Sequence, residues 1–430
     1  MQYENARSVV AEWLDRDGFP ELLERRMPSL EPPPRGSVLA LVGPRRSGKT
    51  FLMYQMSEEV DGSGSSLLVD MEDYRLVSME PGDIELLLRA HRELTGSDPA
   101  HLFLDEVQAL PDWSHVLRTL CNRRKSSIIV SGSNSALLER EISTELRGRY
   151  AARRVYPLSF AEFLGFRGCG YDRLSPHTGR SGELAGALRD YLAVGGFPEV
   201  VLARSALRRR ELLTSYFKTV FLSDLLDRYE IHATGVMQKL MEHLLTSFAA
   251  PFSISRFTGR INAAGTPASK KTVSAFLGYL EEVFFTATTQ ICTPSAHRRR
   301  LNPRKAYLVD HGFAVVPHRY SENLGSLLEN AVGIELLRSG QRPCYFHGRG
   351  ECDFVFGEPG DHVEALQVCW ALDDGNRERE LRGLLSAAEQ TGAEKLTVVT
   401  ADQRETVTER GRKIGVVPAW DWLLQGAPKG

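Results

Sequence analysis

The chain has 430 residues, 42% of them hydrophobic and 25% charged, with a formal net charge of -2. That length exceeds what a single core usually organises, so two or three domains are expected. The balance is that of a globular chain, and the charge gives no bulk sign of a nucleic-acid partner, so any basic surface must be local. No apolar run approaches the ~20 residues of a membrane span, which argues against a membrane partner. The N-terminal stretch mixes charges with apolar residues and has no signal core. Six cysteines (Cys121, Cys169, Cys292, Cys344, Cys352, Cys369) form no CxxC pair. Their scatter argues against a zinc ribbon or a disulfide scaffold and suits the reducing cytoplasm.

Residues 1–27 read as one or two amphipathic helices, stopped by the Pro-rich linker PSLEPPP, and 1–34 form an N-terminal segment. Short apolar strands then alternate with helices: VLALVG (38–43), SSLLVDME (65–72), HLFLDE (101–106), SSIIVSGS (126–133) and RRVYPL (153–158). Such spacing predicts a parallel sheet covered on both faces over residues 35–158. Residues 159–234 turn helical, with a Gly/Ser-rich loop at 168–182. Residues 235–310 run helix, short helix, the turn INAAGTP, a longer helix, the strand FFTATTQIC, a basic stretch HRRRLNPR and the returning strand KAYLVD. That order matches a helix-turn-helix with a β-hairpin wing. Residues 311–430 give the order α-β-β-β-α-β, a separate α/β domain.

GPRRSGKT (43–50) fits GxxxxGK[ST] between a strand and a helix, the context in which this loop cradles phosphates. The loop of Gly43, Pro44, Arg45, Arg46, Ser47 and Gly48 would curl around phosphate oxygens at a helix N-terminus, with every residue except Pro44 able to offer a backbone N–H. Lys49 would reach the β- and γ-phosphates of ATP, and Thr50 would ligate Mg²⁺. HLFLDE places Asp105 at a strand end, suited to the same metal, and Glu106 beside it as general base toward the attacking water. An intervening strand between loop and acidic strand is the AAA+ and RecA-type order. In SGSNS (131–135), Ser133 and Asn134 stand where a side chain could sense the γ-phosphate; a plain polar turn is the alternative. Arg147 and Arg149 in ELRGRY are the candidates for an arginine finger completing a neighbouring subunit's site.

Together GPRRSGKT, LFLDEVQAL, VSGSNSALL, GRY with YPLSFAEFL, YLAVGGFPEVV, KAYLVDHGF and SLLENAVGIELLR resemble prokaryotic AAA+-superfamily ATPases that carry a C-terminal restriction-endonuclease-like domain. The resemblance spans nearly the whole chain. It implies a P-loop ASCE/AAA+ parallel sheet (35–158), a helical lid (159–234), a winged helix (235–310) and a nuclease-like α/β domain (311–430). It favours Arg149 over Arg147 as the finger, and the place of that residue, where AAA+ subunits meet, implies a homo-oligomer. GGFP (195–198) resembles the GxP element that couples lid to nucleotide in signalling ATPases.

Nucleases of that fold place a carboxylate on the first helix, an Asp on one strand and (D/E)xK on the next. Glu329 and Asp353 fit the first two places. In VEALQVCW, Gln367 and Cys369 stand where Glu and Lys are needed, and Glu364 has the wrong parity unless the strand bulges. The expectation is therefore an ATPase acting as a DNA-associated motor or switch. An ATP-gated nuclease and an ATP-switched signalling or scaffold module are the alternatives. Arg298, Arg299, Arg300, Arg304 and Lys305 in the wing, with Lys270 and Lys271 opening its second helix, are the expected DNA contacts.

Overall fold

The computed structural model describes residues 1–15, 23–25, 31–60, 65–132, 146, 148–171, 180–317, 323–357 and 362–426. The chain divides into two compact units, Met1–Tyr156 and Pro157–Gly430.

The first unit contains helix α1 (Tyr3–Asp15), strand β1 (Val38–Val42), α2 (Lys49–Val60), β2 (Ser66–Asp70), α3 (Ile84–Thr95), β3 (His101–Asp105), α4 (Trp113–Arg123), β4 (Ser127–Gly132) and β5 (Tyr150–Arg154). The strands form a parallel sheet in the order β2-β3-β4-β1-β5. β1 and β4 are buried at every position, as expected of strands covered on both faces. The covering helices bury one stripe each: Leu87 and Ala90 on α3, Val116, Leu117 and Leu120 on α4. α1 packs onto this unit rather than standing apart, with Trp13 stacked on Tyr54 and its indole N–H donating to the Ser66 carbonyl at 2.8 Å. The fifth strand is 150–154, three residues earlier than the apolar pattern suggested. Val155 and Tyr156 are buried beyond its end, and this continuation lies against the loop after β1. A Cβ on Gly43 would stand 2.2 Å from the Val155 carbonyl oxygen, so only glycine fits there.

The second unit opens with α5 (Phe160–Phe166), α6 (Ser181–Val194), α7 (Pro198–Leu202) and α8 (Ala206–Thr219), the last continuing into a π-helical segment, Val220–Asp227. A capping box starts α5: the Ser159 hydroxyl accepts from the Glu162 N–H while the Glu162 carboxylate accepts from the Ser159 N–H. α9 (Thr234–Thr246), β6 (Ala250–Phe252), α10 (Ile254–Ala263), α11 (Lys270–Glu282), β7 (Thr286–Thr289), α12 (Ala296–Leu301) and β8 (Arg304–Leu308) follow. Their strands make an antiparallel sheet ordered β6-β8-β7. The basic stretch expected at a hairpin tip is the short helix α12, capped by Ser295.

The remainder is α13 (Leu324–Arg338), β9 (Cys344–His347), β10 (Glu351–Phe356), β11 (Glu364–Val368), α14 (Arg377–Thr391), β12 (Lys395–Thr400), β13 (Glu405–Glu409), β14 (Arg412–Pro418) and α15 (Ala419–Gln425). Its mixed sheet has the order β13-β14-β12-β11-β10-β9. Cys292 and Cys344 are disulfide-bonded, a single bond where the scatter of the cysteines argued against a disulfide scaffold. They lie 52 residues apart, and Cys344 begins β9.

The GGFP and VDHG segments meet at one buried carboxylate. Asp310 accepts from the Gly196 N–H and the Gly312 N–H, both at 2.8 Å. Burial holds its carboxyl above the usual range, while adjacent His311 and these two N–H groups pull the other way. Gly195 has φ +84°, and a Cβ there would stand 2.1 Å from Asp310 Oδ1. His311 Nε2 lies 2.8 Å from the Tyr191 carbonyl, which can only accept, so the proton sits on Nε2. The turn between α6 and α7 is thereby tied to the segment after β8.

Candidate nucleotide site

The C-terminal ends of β1, β3 and β4 converge, and the loop 43–48 leads from β1 into α2. Arg46 (φ 67°) and Gly48 (φ 91°) have left-handed backbones, which curl the loop. Lys49 is buried and donates to the carbonyls of Gly43 at 3.2 Å and Pro44 at 3.1 Å. Its ammonium also lies 3.8 Å from Glu106 Oε1. The Ser47 hydroxyl is buried with no partner among the described residues, an unused donor inside the loop. Arg45 faces Glu72 at 3.8 Å.

Asp105 and Glu106 sit as the sequence places them, at the end of β3. The Thr50 hydroxyl donates to Asp105 Oδ2 at 2.6 Å, so the two expected Mg²⁺ ligands already touch. Oxygen donors of this kind suit a hard divalent cation. Asp70, ending β2, and Glu72 stand near them. Burial raises both carboxyls; Asp105 and Glu106 raise them further, against the Glu72 N–H at Asp70 and Arg45 at Glu72. A cation arriving here would relieve that accumulation of negative charge.

Glu106 has φ 47° and ψ 50°, an uncommon conformation for a residue with a Cβ. It is held there by its N–H donating to the Ser131 hydroxyl at 3.0 Å, and its Oε2 accepts from Gln108 Nε2 at 2.6 Å. The Ser131 hydroxyl donates in turn to Asp105 Oδ1. Ser131 is the residue that sequence reasoning passed over within SGSNS. The register could have found it: Leu104 pairs with Val130, which sets Ser131 beside Asp105. Arg25 was also missed. It is buried and donates to the Ser47 carbonyl at 2.5 Å and the Tyr156 carbonyl at 2.9 Å, bracing the loop from behind. Ser133, Asn134 and Arg147 lie outside the described residues. Arg149 donates to Asn122 Oδ1 at 3.0 Å.

The basic residues divide. Lys270 and Lys271 are exposed at the start of α11, and Arg298 and Arg300 are exposed on α12. Arg299 donates to the Thr293 carbonyl at 2.8 Å, and Arg304 faces Glu281 at 3.7 Å. Lys305 departs from the expectation of a surface cation. It is buried, and its ammonium donates to Glu329 Oε1 at 2.8 Å and Asp353 Oδ1 at 2.7 Å. The reason is strand parity: Lys305 and Tyr307 share one face of β8, and the Tyr307 hydroxyl donates to the same Glu329 oxygen at 3.1 Å.

Gln367 and Cys369 are both buried. Cys369 packs with Ala365, Leu372 and Leu384, and burial first, then Glu380, pushes its thiol up to about 12. Pairing of β10 with β11 is continuous from Phe354–Leu366 to Phe356–Glu364, without a bulge. Glu364 pairs with Lys395 at 3.0 Å.

A family model described as an AAA domain matches residues 35–164, so the chain carries an AAA-type domain with a P-loop. A second model, described as a domain of unknown function, matches residues 185–320. The chain is 28% identical over 396 residues to uncharacterized protein MJ1544 of Methanocaldococcus jannaschii, covering 90% of this chain and 88% of that one. It is 26% identical over 400 residues to an uncharacterized protein of Haemophilus influenzae, covering 90% and 94%. Among solved structures it is similar to the Walker-type ATPase PABY2304 of Pyrococcus abyssi, with a TM-score of 0.43, 15% identity and coverage of 73% and 95%. No helix among the described residues is long and apolar enough to cross a membrane.

Proposed function

We propose that this protein binds and hydrolyses ATP with Mg²⁺ as a DNA-associated AAA+-type motor or switch in the cytoplasm. The observation that carries the reading is the assembly of Lys49, Thr50, Asp105 and Glu106 at adjoining strand ends. Lys49, now held by its own loop's carbonyls and by Glu106, would transfer to the β- and γ-phosphates. Glu106 would then accept the proton of the attacking water, its backbone already fixed by Ser131. Thr50 and Asp105 would hold Mg²⁺, which neutralises charge developing on the transferred phosphoryl group.

The order α9-β6-α10-α11-β7-β8 supports the winged-helix reading, with α11 as the helix offered to DNA. Its opening lysines, with Arg298 and Arg300, leave four exposed cations as the contact set, and Lys305 drops out. The order of α13, β9, β10, β11, α14 and β12 supports a restriction-endonuclease-like domain that has lost cleavage. Arg149, just before β5, would complete the site of a neighbouring subunit in a homo-oligomer.

ATPase rate should rise with single-stranded, duplex or branched DNA. DNA affinity should fall steeply with salt, each neutralised phosphate adding about 0.9 to the slope of log K against log salt. Replacing Lys270, Lys271, Arg298 and Arg300 with Ala should flatten that slope by roughly 3–4. In the same assay, turnover per chain should rise with protein concentration and lose that rise in Arg149→Ala. Unchanged DNA affinity and slope in the four-residue variant would move the DNA site elsewhere; concentration-independent turnover would remove the oligomer.

A further inference from the structure

We infer that the ammonium of Lys305 occupies a divalent-cation position in the C-terminal α/β domain, so that the chain supplies its own cation and shuts the metal out. This deepens the reading of that domain as nuclease-like and is independent of the ATPase reading.

The carboxylates of Glu329, on α13, and Asp353, on β10, face one point from two elements. At that point stands the Lys305 nitrogen, 2.8 Å from one and 2.7 Å from the other. All three side chains are nearly buried, at 7% exposure for Lys305, 13% for Glu329 and 9% for Asp353. Two carboxylates brought together out of water are relieved by a positive charge or a proton between them, and here the charge is supplied by Lys305. The ammonium leaves the group at a net charge of -1, and a divalent ion in its place would leave it neutral. The surrounding polar atoms are already assigned. Asp353 Oδ2 accepts from the Val368 N–H at 2.9 Å, and the Tyr307 hydroxyl donates to Glu329.

Gln367 fits the same account. Its side-chain oxygen accepts from the Asp353 N–H at 3.2 Å, and its amide donates to Glu380 Oε2 at 2.6 Å. It therefore faces away from the cation as a bridge between β10 and α14. A Glu at 367 would set two buried carboxylates against each other at the Glu380 contact. The resident lysine explains how the domain tolerates the loss of a third acid: two carboxylates already outweigh the single charge of the ammonium, so no further acid is needed to hold it.

The geometry also predicts ion preference once the lysine is removed. Spacing set for contacts of 2.7–2.8 Å is closer to the ~2.3–2.6 Å of Ca²⁺ than to the ~2.0–2.1 Å of Mg²⁺. Larger divalent ions should be taken in preference to Mg²⁺.

The test is Mn²⁺ binding to the full chain without nucleotide, read from the loss of the free-ion electron paramagnetic resonance signal. Wild type and Asp353→Asn should bind the same number of Mn²⁺ ions. Lys305→Ala should bind one more, displaced by Ca²⁺ at lower concentration than by Mg²⁺, and Lys305→Ala/Asp353→Asn should lose it. Mn²⁺ or Ca²⁺ should raise the melting temperature of the second unit in Lys305→Ala and leave unchanged that of the second unit in Lys305→Met, whose side chain fills the place. An Asp353-dependent Mn²⁺ ion in wild type would overturn the inference, because lysine and metal would then coexist. So would a Lys305→Ala chain that folds and takes no extra ion, or that stays unfolded at saturating Mn²⁺ while Lys305→Met folds. ATP hydrolysis by wild type is expected throughout, and its absence would count against the ATPase reading alone.

Discussion

Glu106→Gln is expected to bind ATP with Mg²⁺ as tightly as wild type and to turn it over about 10²–10⁴-fold more slowly, the usual contribution of a positioned general base. The substitution keeps size and hydrogen-bonding shape. The left-handed backbone, fixed by the Ser131 hydroxyl on the Glu106 N–H, is untouched. Lys49 loses its 3.8 Å ionic partner in the nucleotide-free state, which should if anything favour its transfer to phosphate. Only the group able to take a proton from water is gone. Equilibrium binding of a fluorescent ATP analogue, together with single-turnover phosphate release, separates the two quantities. Turnover close to wild type would remove Glu106 from the chemistry.

A loss of similar weight, in stability rather than rate, is expected from Asp310→Ala. Two buried N–H groups, on Gly196 and Gly312, would lose their acceptor. Each unsatisfied donor costs about 1–3 kcal/mol. Removing a buried carboxylate recovers part of its desolvation cost, so the net loss should be about 2–4 kcal/mol. Asp310→Asn retains one accepting oxygen and should fall between wild type and Ala. Calorimetry should show the transition of the second unit moving to lower temperature, while stabilisation of the first unit by Mg²⁺ and ATP persists. A wild-type calorimetric profile in Asp310→Ala would show that the α6–α7 turn is held by something else.

These two residues differ in how far the sequence exposed them. Asp105 and Glu106 were legible because a P-loop and an acidic strand end are local patterns whose chemistry fixes their spacing. Ser131 was within reach once the strands were aligned, but a serine ending a strand carries little signal alone. Asp310 and the glycine pair appeared only as segments of a resemblance. Their meeting is a contact across 114 residues, which no local period encodes. Lys305 misled because a lysine after an arginine run reads as surface charge. Its burial depends on carboxylates 24 and 48 residues further on. The Cys292–Cys344 bond is hidden for the same reason, since spacing without a motif does not specify pairing. The apolar pattern places the fifth strand three residues late because its edge position tolerates arginines, while the apolar residues Val155 and Tyr156 lie past its end.

Hydrolysis of ATP at this site is tested by phosphate release from the purified chain, with and without Mg²⁺, in wild type and Lys49→Ala. Wild type should release phosphate only with the divalent ion, and Lys49→Ala should lose both turnover and most of its nucleotide affinity. Equal turnover in Lys49→Ala, or a wild type that neither binds nor hydrolyses ATP, would show that the loop 43–50 is not an ATPase site.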